Sequence, residues 1–494
     1  MDKDNPIIVI GSGFAGGISA LRLVEAGFKV ILLERGPWRD TDAVREARIE
    51  KPAPLPKGRN FYTHLLRRFN KVGLPGGGFT LNKRGVYEIF SGENIDVACS
   101  SHVGGCSHVY GALHMRPQDP AYWDGHNEKI TSQYMEKYYI SVLKDMGSKS
   151  VDVSGQGLNL FADRFRDNPA FITDERSMDM AMGLKGPLES FDSETISSIG
   201  LLGASSGLKR TADEMYIIPA LEKGLIVKDM CEVLHIQRQD QGSKTSYHVE
   251  FFDHLKKRKN RLVASRVIMA AGTMNTLKIL LASRAEAKRL DGMPLLGHKF
   301  GGNGDYSAYW NHGNKSGDMS EGLPTRGKIS LSDEKLWTSS RPWPSIVEGG
   351  LPYSKDLPWL PFLKKKIRQG SLIAAMGQDN MDGKISYDRG GLRIDYRPED
   401  SQIYHDIRQA FDLIEKLSGH KITHFPKIST VHPTGGACLG SSDRHGVVDD
   451  GGQVFGHPGL YVADGAALPA ALGAPPSISI AAWANNVADK IISI

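Results

Sequence analysis

A chain of 494 residues is too long for one ordinary core and suits two units whose segments interleave. Its 40% hydrophobic and 24% charged residues exclude general disorder and a fibrous architecture. With 61 basic against 56 acidic side chains the net charge is +5, too little over so large a surface to point to nucleic acid.

Near the N-terminus Pro6-Ile-Ile-Val-Ile10 is a short apolar run of the kind buried on both faces of a parallel sheet. Gly11, Gly13 and Gly16 follow in G-x-G-x-x-G spacing, then a helical pattern from Ile18 to Val24, Gly27 at the C-cap position, and a second strand, Val30 to Leu33, ending on Glu34. Gly11 permits the tight turn, Gly13 lets a pyrophosphate approach the backbone, and Gly16 lets helix pack on strand, with the helix N-terminus facing the phosphates. Glu34 stands where a carboxylate accepts both ribose hydroxyls of an adenosine, and Arg35 beside it joins the expected site. The acid disfavours a 2′-phosphate but does not choose between NAD and FAD.

Further along, Pro52 to Phe79 is rich in Pro, Gly and basic residues and is expected to be a loop over the cofactor entrance. Lys256-Lys-Arg-Lys259 lies between strand-like stretches, Tyr247 to Phe252 and Leu262 to Ala270, and reads as a solvated hairpin turn. Arg266 to Gly272 is a buried strand ending in small residues, followed by a helix from Thr276 to Ala282. Leu351 to Arg368 sets apolar and aromatic residues before four cations, which suggests a lid over an apolar pocket or a weak contact with a membrane surface. Strand patterns at Leu372 to Met376, Lys384 to Tyr387 and Leu392 to Tyr396, with a helix from Ile407 to Leu417, predict an antiparallel sheet backed by helices. Gly459 to Gly465 reads as strand, acid and turn, leading into a helix from Ile478 to Ala484, so both ends of the chain are expected to build one cofactor unit.

Four cysteines, Cys99, Cys106, Cys231 and Cys438, lack CxxC spacing and make neither a disulfide framework nor a zinc site, so a reducing compartment is expected. The first strand begins at Ile7 with no room ahead of it for a leader, and no stretch reaches the ~18 apolar residues of a membrane span. Together these features predict a cytoplasmic protein.

The segment from Val103 to Gly111, followed by Met115-Arg-Pro117, resembles the glucose-methanol-choline (GMC) oxidoreductases, in which a Gly-Gly-x-Ser loop lies along FAD. His432-Pro-Thr-Gly-Gly436, Gly446 to Asp449, Leu460 to Gly465 and Pro476 resemble the same family's C-terminal block, in wording closest to its bacterial cholesterol oxidase branch. The resemblance implies a Rossmann-like FAD unit (1–117, 205–299 and 429–494) interleaved with an α+β substrate unit (118–204 and 300–428). By position, Gly11, Gly13, Gly16 and Glu34 would hold the ADP half and Val233 would flank adenine. Gly104, Gly105, Ser107 and Gly111 would follow the pyrophosphate, ribityl and flavin side, with Asp464 and Gly465 reaching the ribityl chain, Gly272 ending a strand beside the cofactor, and Pro476 and Ser477 near the isoalloxazine. Where some relatives attach FAD to a histidine, this chain has Val109, with His108 one residue early, so FAD is expected to be non-covalent.

The implied activity is oxidation of an alcohol, bulky and largely apolar given the lid, to a ketone or aldehyde, with O2 or another electron acceptor. Such chemistry needs a base for the hydroxyl proton, and His432, which heads the family block, is the candidate. The family's second polar side chain, Asn or His, is missing: Pro475, or Ala474 in another alignment, takes its place. Tyr110, Asn380 or Ser477 are candidate substitutes. The gap keeps open a non-redox lyase or isomerase using His432 for proton transfer, and a binding protein with a vestigial flavin site.

Overall fold

The computed structural model describes residues 5–152, 171–172, 179–242, 244–287, 290–313, 320, 322–331, 343–351 and 361–494. It is a mixed α/β architecture. The strand Ile7–Ile10 forms where the sequence places a wholly apolar run, and all four side chains are buried. Each such side chain contributes about 1.5–3 kcal/mol relative to exposure.

That strand is the middle of a five-stranded parallel sheet in the order Ile226–Lys228, Val30–Leu33, Ile7–Ile10, Arg266–Met269, Leu460–Val462. Strands drawn from the beginning, middle and end of the chain therefore share one ladder. Helix Phe14–Glu25 returns from the first strand to the second, and Gly27 closes it at φ +83°, a conformation that favours glycine. The C-terminal helix Ser477–Ile492 lies against it, with Arg22 bonded to Asn485 and paired with Asp489, while Trp483 Nε1 donates to the Val462 carbonyl at 3.0 Å.

Two expectations need correcting. The stretch from Pro52 to Phe79 is not a loop throughout: Leu66–Asn70 is a strand hydrogen-bonded to Gly78–Thr80 and Tyr87–Ser91 in a five-stranded sheet that also holds Ile95–Ser100 and Ile428–Thr430. Leu66-Arg-Arg-Phe-Asn70 has no Gly or Pro of its own, so the punctuation around it hid a strand. Likewise, Leu262 to Ala270 is not one strand. It divides at Ser265 between Arg258–Ala264, the far arm of the Lys256 hairpin, and Arg266–Met269 in the parallel sheet.

A six-stranded sheet runs Ile422–His424, Tyr306–Asn311, Gly370–Met376, Ser345–Gly349, Thr325–Leu331, Phe171–Ile172, with antiparallel neighbours throughout. Helix Gln402–Ser418 buries Ile403, Ile407, Ala410, Phe411 and Ile414, one stripe at helical spacing, and ends at Gly419 with φ +66°. The Phe411 ring packs 5.9 Å from that of Tyr306 on the sheet. Of the expected lid, Pro361–Arg368 is a helix that buries none of its side chains, and residues 352–360 lie outside the described residues. Among the described residues no helix is long and apolar enough to cross a membrane, and no His, Cys, Asp and Glu group suits a metal ion.

Candidate active site

A cavity of about 510 Å³ is lined from both the five-stranded parallel sheet and the six-stranded antiparallel sheet. Its dinucleotide end begins at the glycine turn. Gly11 has φ +98°, and a Cβ there would stand 2.2 Å from the Ala270 carbonyl oxygen; a Cβ on Gly16 would stand 2.0 Å from the Gly11 oxygen. These glycines keep backbone against backbone.

Gly13 differs, because its nearest neighbour would be Gly105 Cα at 3.8 Å. Residues 13 and 105, far apart in the chain, thus meet as two bare stretches of backbone lining the cavity. Gly13 also begins helix Phe14–Glu25 without a side-chain cap, so the first-turn N–H groups are left for an anion.

Glu34 closes this end. Its carboxylate accepts from Ser12 Oγ at 2.6 Å and from the Gly36 N–H at 2.8 Å, one donor per oxygen, and retains acceptor capacity on each for a ribose diol. Burial pushes the carboxyl up from its ordinary value. Arg35, which pairs with Glu88 and donates to Asn275 Oδ1 at 2.8 Å, lines the same end with Glu232 and Val233. Remaining acceptor capacity on Glu34, an uncapped helix and two touching glycine loops fit the ADP part of FAD.

Further along, Val109, Gly111, Gly272, Asp464, Gly465, Pro476 and Ser477 line the cavity. Asp464 accepts from the Gly272 N–H at 2.9 Å, the Ala466 N–H at 3.0 Å and Thr276 Oγ1, and burial raises its carboxyl to about 6. Gly16, Gly104 and Ser107 are not among the lining residues. Ser107 braces its loop from behind, donating to the Gly104 carbonyl at 2.6 Å and accepting from the Ala212 N–H at 2.8 Å. His108 is buried with Nε2 3.1 Å from Asp213, so the loop's histidine is engaged away from the cavity that Val109 faces.

At the opposite end stand His432 and Pro475. His432 follows strand Ile428–Thr430 and its Nδ1 lies 3.0 Å from both carboxylate oxygens of Asp305, the residue just ahead of strand Tyr306–Asn311. Asp305 also accepts from Thr430 Oγ1 at 2.8 Å and from the Val431 N–H at 3.2 Å, and it too lines the cavity. No sequence spacing links 305 to 432.

Asn303, also unforeseen, is fully buried and fixes the Pro475 turn: its Oδ1 accepts from the N–H groups of Leu472 and Gly473, and its Nδ2 donates to the Ala474 carbonyl at 3.0 Å. Tyr110 lines the cavity with its hydroxyl donated to the Arg210 carbonyl at 2.9 Å, and Ser477 Oγ is 3.4 Å from the Leu113 carbonyl. Asn380 is not brought to the site: its amide donates to the Asp400 carbonyl at 2.8 Å, outside the cavity. The antiparallel sheet lines the cavity with the largely apolar Val347, Leu372, Ala374, Ala375 and Met376, and Ala375 pairs with Tyr306, the residue after Asp305.

Comparison with known proteins agrees with this geometry. GMC oxidoreductase family models match residues 75–301 and 398–484. A cholesterol oxidase of Mycobacterium tuberculosis is 25% identical, over 99% of this chain and 91% of that protein; a long-chain-alcohol oxidase of Arabidopsis thaliana is 21% identical, over 98% and 67%. A fungal aryl-alcohol oxidase of known structure superposes over 100% of this chain and 99% of that one with a TM-score of 0.61 at 16% identity, a likeness of fold. Since the two matched segments contribute Gly105, Gly272, His432, Asp464 and Pro476 to one cavity, the chain belongs to the GMC oxidoreductases, FAD-dependent enzymes of alcohol oxidation.

Proposed function

We propose that the protein oxidises a bulky, largely apolar alcohol to a ketone or aldehyde, with His432 as proton acceptor and FAD held without a covalent bond. The observation that carries this reading is a cavity lined by both Glu34 and His432, with mostly apolar residues of the antiparallel sheet beside Asp305 and His432. On this reading the parallel sheet belongs to the Rossmann-like FAD unit and the antiparallel sheet to the substrate unit, at the chain boundaries expected from sequence.

FAD, when bound, supplies the two-electron acceptor, and O2 or another acceptor restores it. The chain's own contribution is to hold the ribose at Glu34, the phosphates at Gly11, Gly13 and Gly105, and the alcohol's carbon skeleton against Val347, Leu372 and Met376. Apolar contact of that kind excludes water and selects for size more than for polar pattern. His432 takes the hydroxyl proton at the nitrogen not engaged by Asp305. Pro475 supplies no hydrogen bond, so orientation of the hydroxyl falls on His432 itself.

Four unpaired cysteines support a reducing compartment, the cytoplasm. The test is anaerobic mixing of the FAD-loaded protein with cholesterol, hexadecan-1-ol and 4-methoxybenzyl alcohol while flavin absorbance is followed. Bleaching by an apolar alcohol is expected; product without bleaching would transfer His432 to a lyase or isomerase, the reading that the apolar Pro475 position favours.

A further inference from the structure

We propose that Asp305 is the positioning residue of the site: it fixes the tautomer and the direction of the His432 imidazole and thereby offsets the missing partner at Pro475. The inference rests on the alcohol-oxidising reading above and deepens it.

The geometry is that of a carboxylate with one task. An ionised carboxylate only accepts hydrogen bonds, so the 3.0 Å contact places the proton on Nδ1 and leaves the Nε2 lone pair free to accept. Both oxygens of Asp305 are within reach of Nδ1, and Thr430 Oγ1 and the Val431 N–H hold the carboxylate from the other side. Thr430 Oγ1 in turn accepts from the His432 N–H at 2.9 Å, so the histidine's backbone is held by Thr430 and its ring by Asp305, two side chains that are bonded to each other.

Asp305 is 7% exposed, which makes rearrangement of this set costly: removing the imidazole donor leaves a buried charge short of a partner. The dyad also bridges two sheets, since Asp305 precedes strand Tyr306–Asn311 and His432 follows strand Ile428–Thr430. The ring direction is therefore set by how the two sheets meet, and not by the mobility of a surface histidine.

In the reaction the alcohol O–H proton would pass to Nε2, and FAD, held at Glu34, Gly13 and Gly105, would supply the acceptor for the carbon-bound hydrogen and its electron pair as the C=O double bond forms. His432 thereby becomes an imidazolium, and the adjacent Asp305 carboxylate stabilises that charge without taking the proton. A second polar side chain is then not needed to hold the base, although none remains at Pro475 to share the hydroxyl.

Two measurements decide the matter. In the FAD-loaded protein with 15N-labelled histidine, the NMR signal removed by His432→Gln identifies this ring, and it is expected to show the Nδ1–H tautomer in the wild type and to lose it in Asp305→Asn. In anaerobic stopped flow with the alcohol that bleaches the wild type best among cholesterol, hexadecan-1-ol and 4-methoxybenzyl alcohol, Asp305→Asn is expected to lower the limiting rate ~10²–10⁴-fold. Half-saturation should stay within a few-fold and FAD content should be unchanged.

An Nε2–H tautomer in the wild type, or wild-type flavin reduction by Asp305→Asn, would overturn the assignment. The wild-type spectrum decides the tautomer even if the variant fails to fold. Should the tautomer be as expected and shift in Asp305→Asn while no alcohol bleaches the wild type, the positioning role stands and alcohol oxidation fails.

Discussion

The two ends of the cavity are built by different means. Around Gly11, Gly13 and Gly105 the walls are backbone, and what matters is that no side chain intrudes. Around His432 they are side chains held by other side chains, Asp305 by Thr430 and the Pro475 turn by Asn303. A site of the first kind is lost by adding an atom, whereas one of the second kind is lost by removing one.

The sharpest way to break that contrast is to add a methyl group at each glycine in turn. Gly11→Ala is expected to cost on the order of 3 kcal/mol or more, because the Cβ would meet a carbonyl oxygen at 2.2 Å in a left-handed conformation. Thermal melting should fall steeply and FAD should be absent from purified protein. Gly13→Ala, with its nearest contact at 3.8 Å, should melt near the wild type and yet bind FAD weakly. Equal melting of the two variants would contradict the backbone account.

Removal at the other end comes next in size. His432→Ala should retain FAD and slow anaerobic flavin reduction ~10²–10⁴-fold, as expected of a lost general base. A variant that lost its FAD instead would place the histidine's role in binding.

Asp464 gives a pH signature. Its folded carboxyl is raised to about 6, so its contribution to stability is present below the unfolded value near 4 and is lost as pH rises through about 6. The cofactor-free protein should therefore lose up to ~3 kcal/mol of stability from this group between pH 4 and pH 6. Asp464→Asn should flatten that limb in urea unfolding, and an unchanged slope would mean that the carboxyl titrates normally.

The smallest effect is expected at Glu34. Glu34→Gln keeps an acceptor but loses the charge, which should weaken FAD binding ~10–100-fold with little change in turnover per bound flavin. Titration of the cofactor-free protein with FAD checks this, and equal affinity would remove Glu34 from the site.

The contrast also explains what could be read from the sequence alone. The dinucleotide end is local: strand, glycine turn, helix, strand and Glu34 succeed one another within 34 residues, and each leaves a mark that spacing alone makes visible. His432 was legible through its block of Pro and Gly. Its partner Asp305 was not, because the two stand 127 positions apart beside strands of different sheets and nothing about an aspartate before a strand announces a histidine. Asn303 was hidden for the same reason. Asn380 shows the opposite error, a polar residue that looked available in sequence but is committed to the Asp400 backbone. Leu66–Asn70 was missed because pairing with Tyr87–Ser91, more than local propensity, makes it a strand.

That the two ends serve one reaction is tested most directly by anaerobic flavin reduction with an alcohol deuterated at its carbinol carbon. Bleaching by hexadecan-1-ol or cholesterol, slowed by deuterium in the wild type and slowed much further in His432→Ala with FAD still bound, is the result expected. A flavin that none of these alcohols reduces, or one that His432→Ala reduces at the wild-type rate, would contradict it.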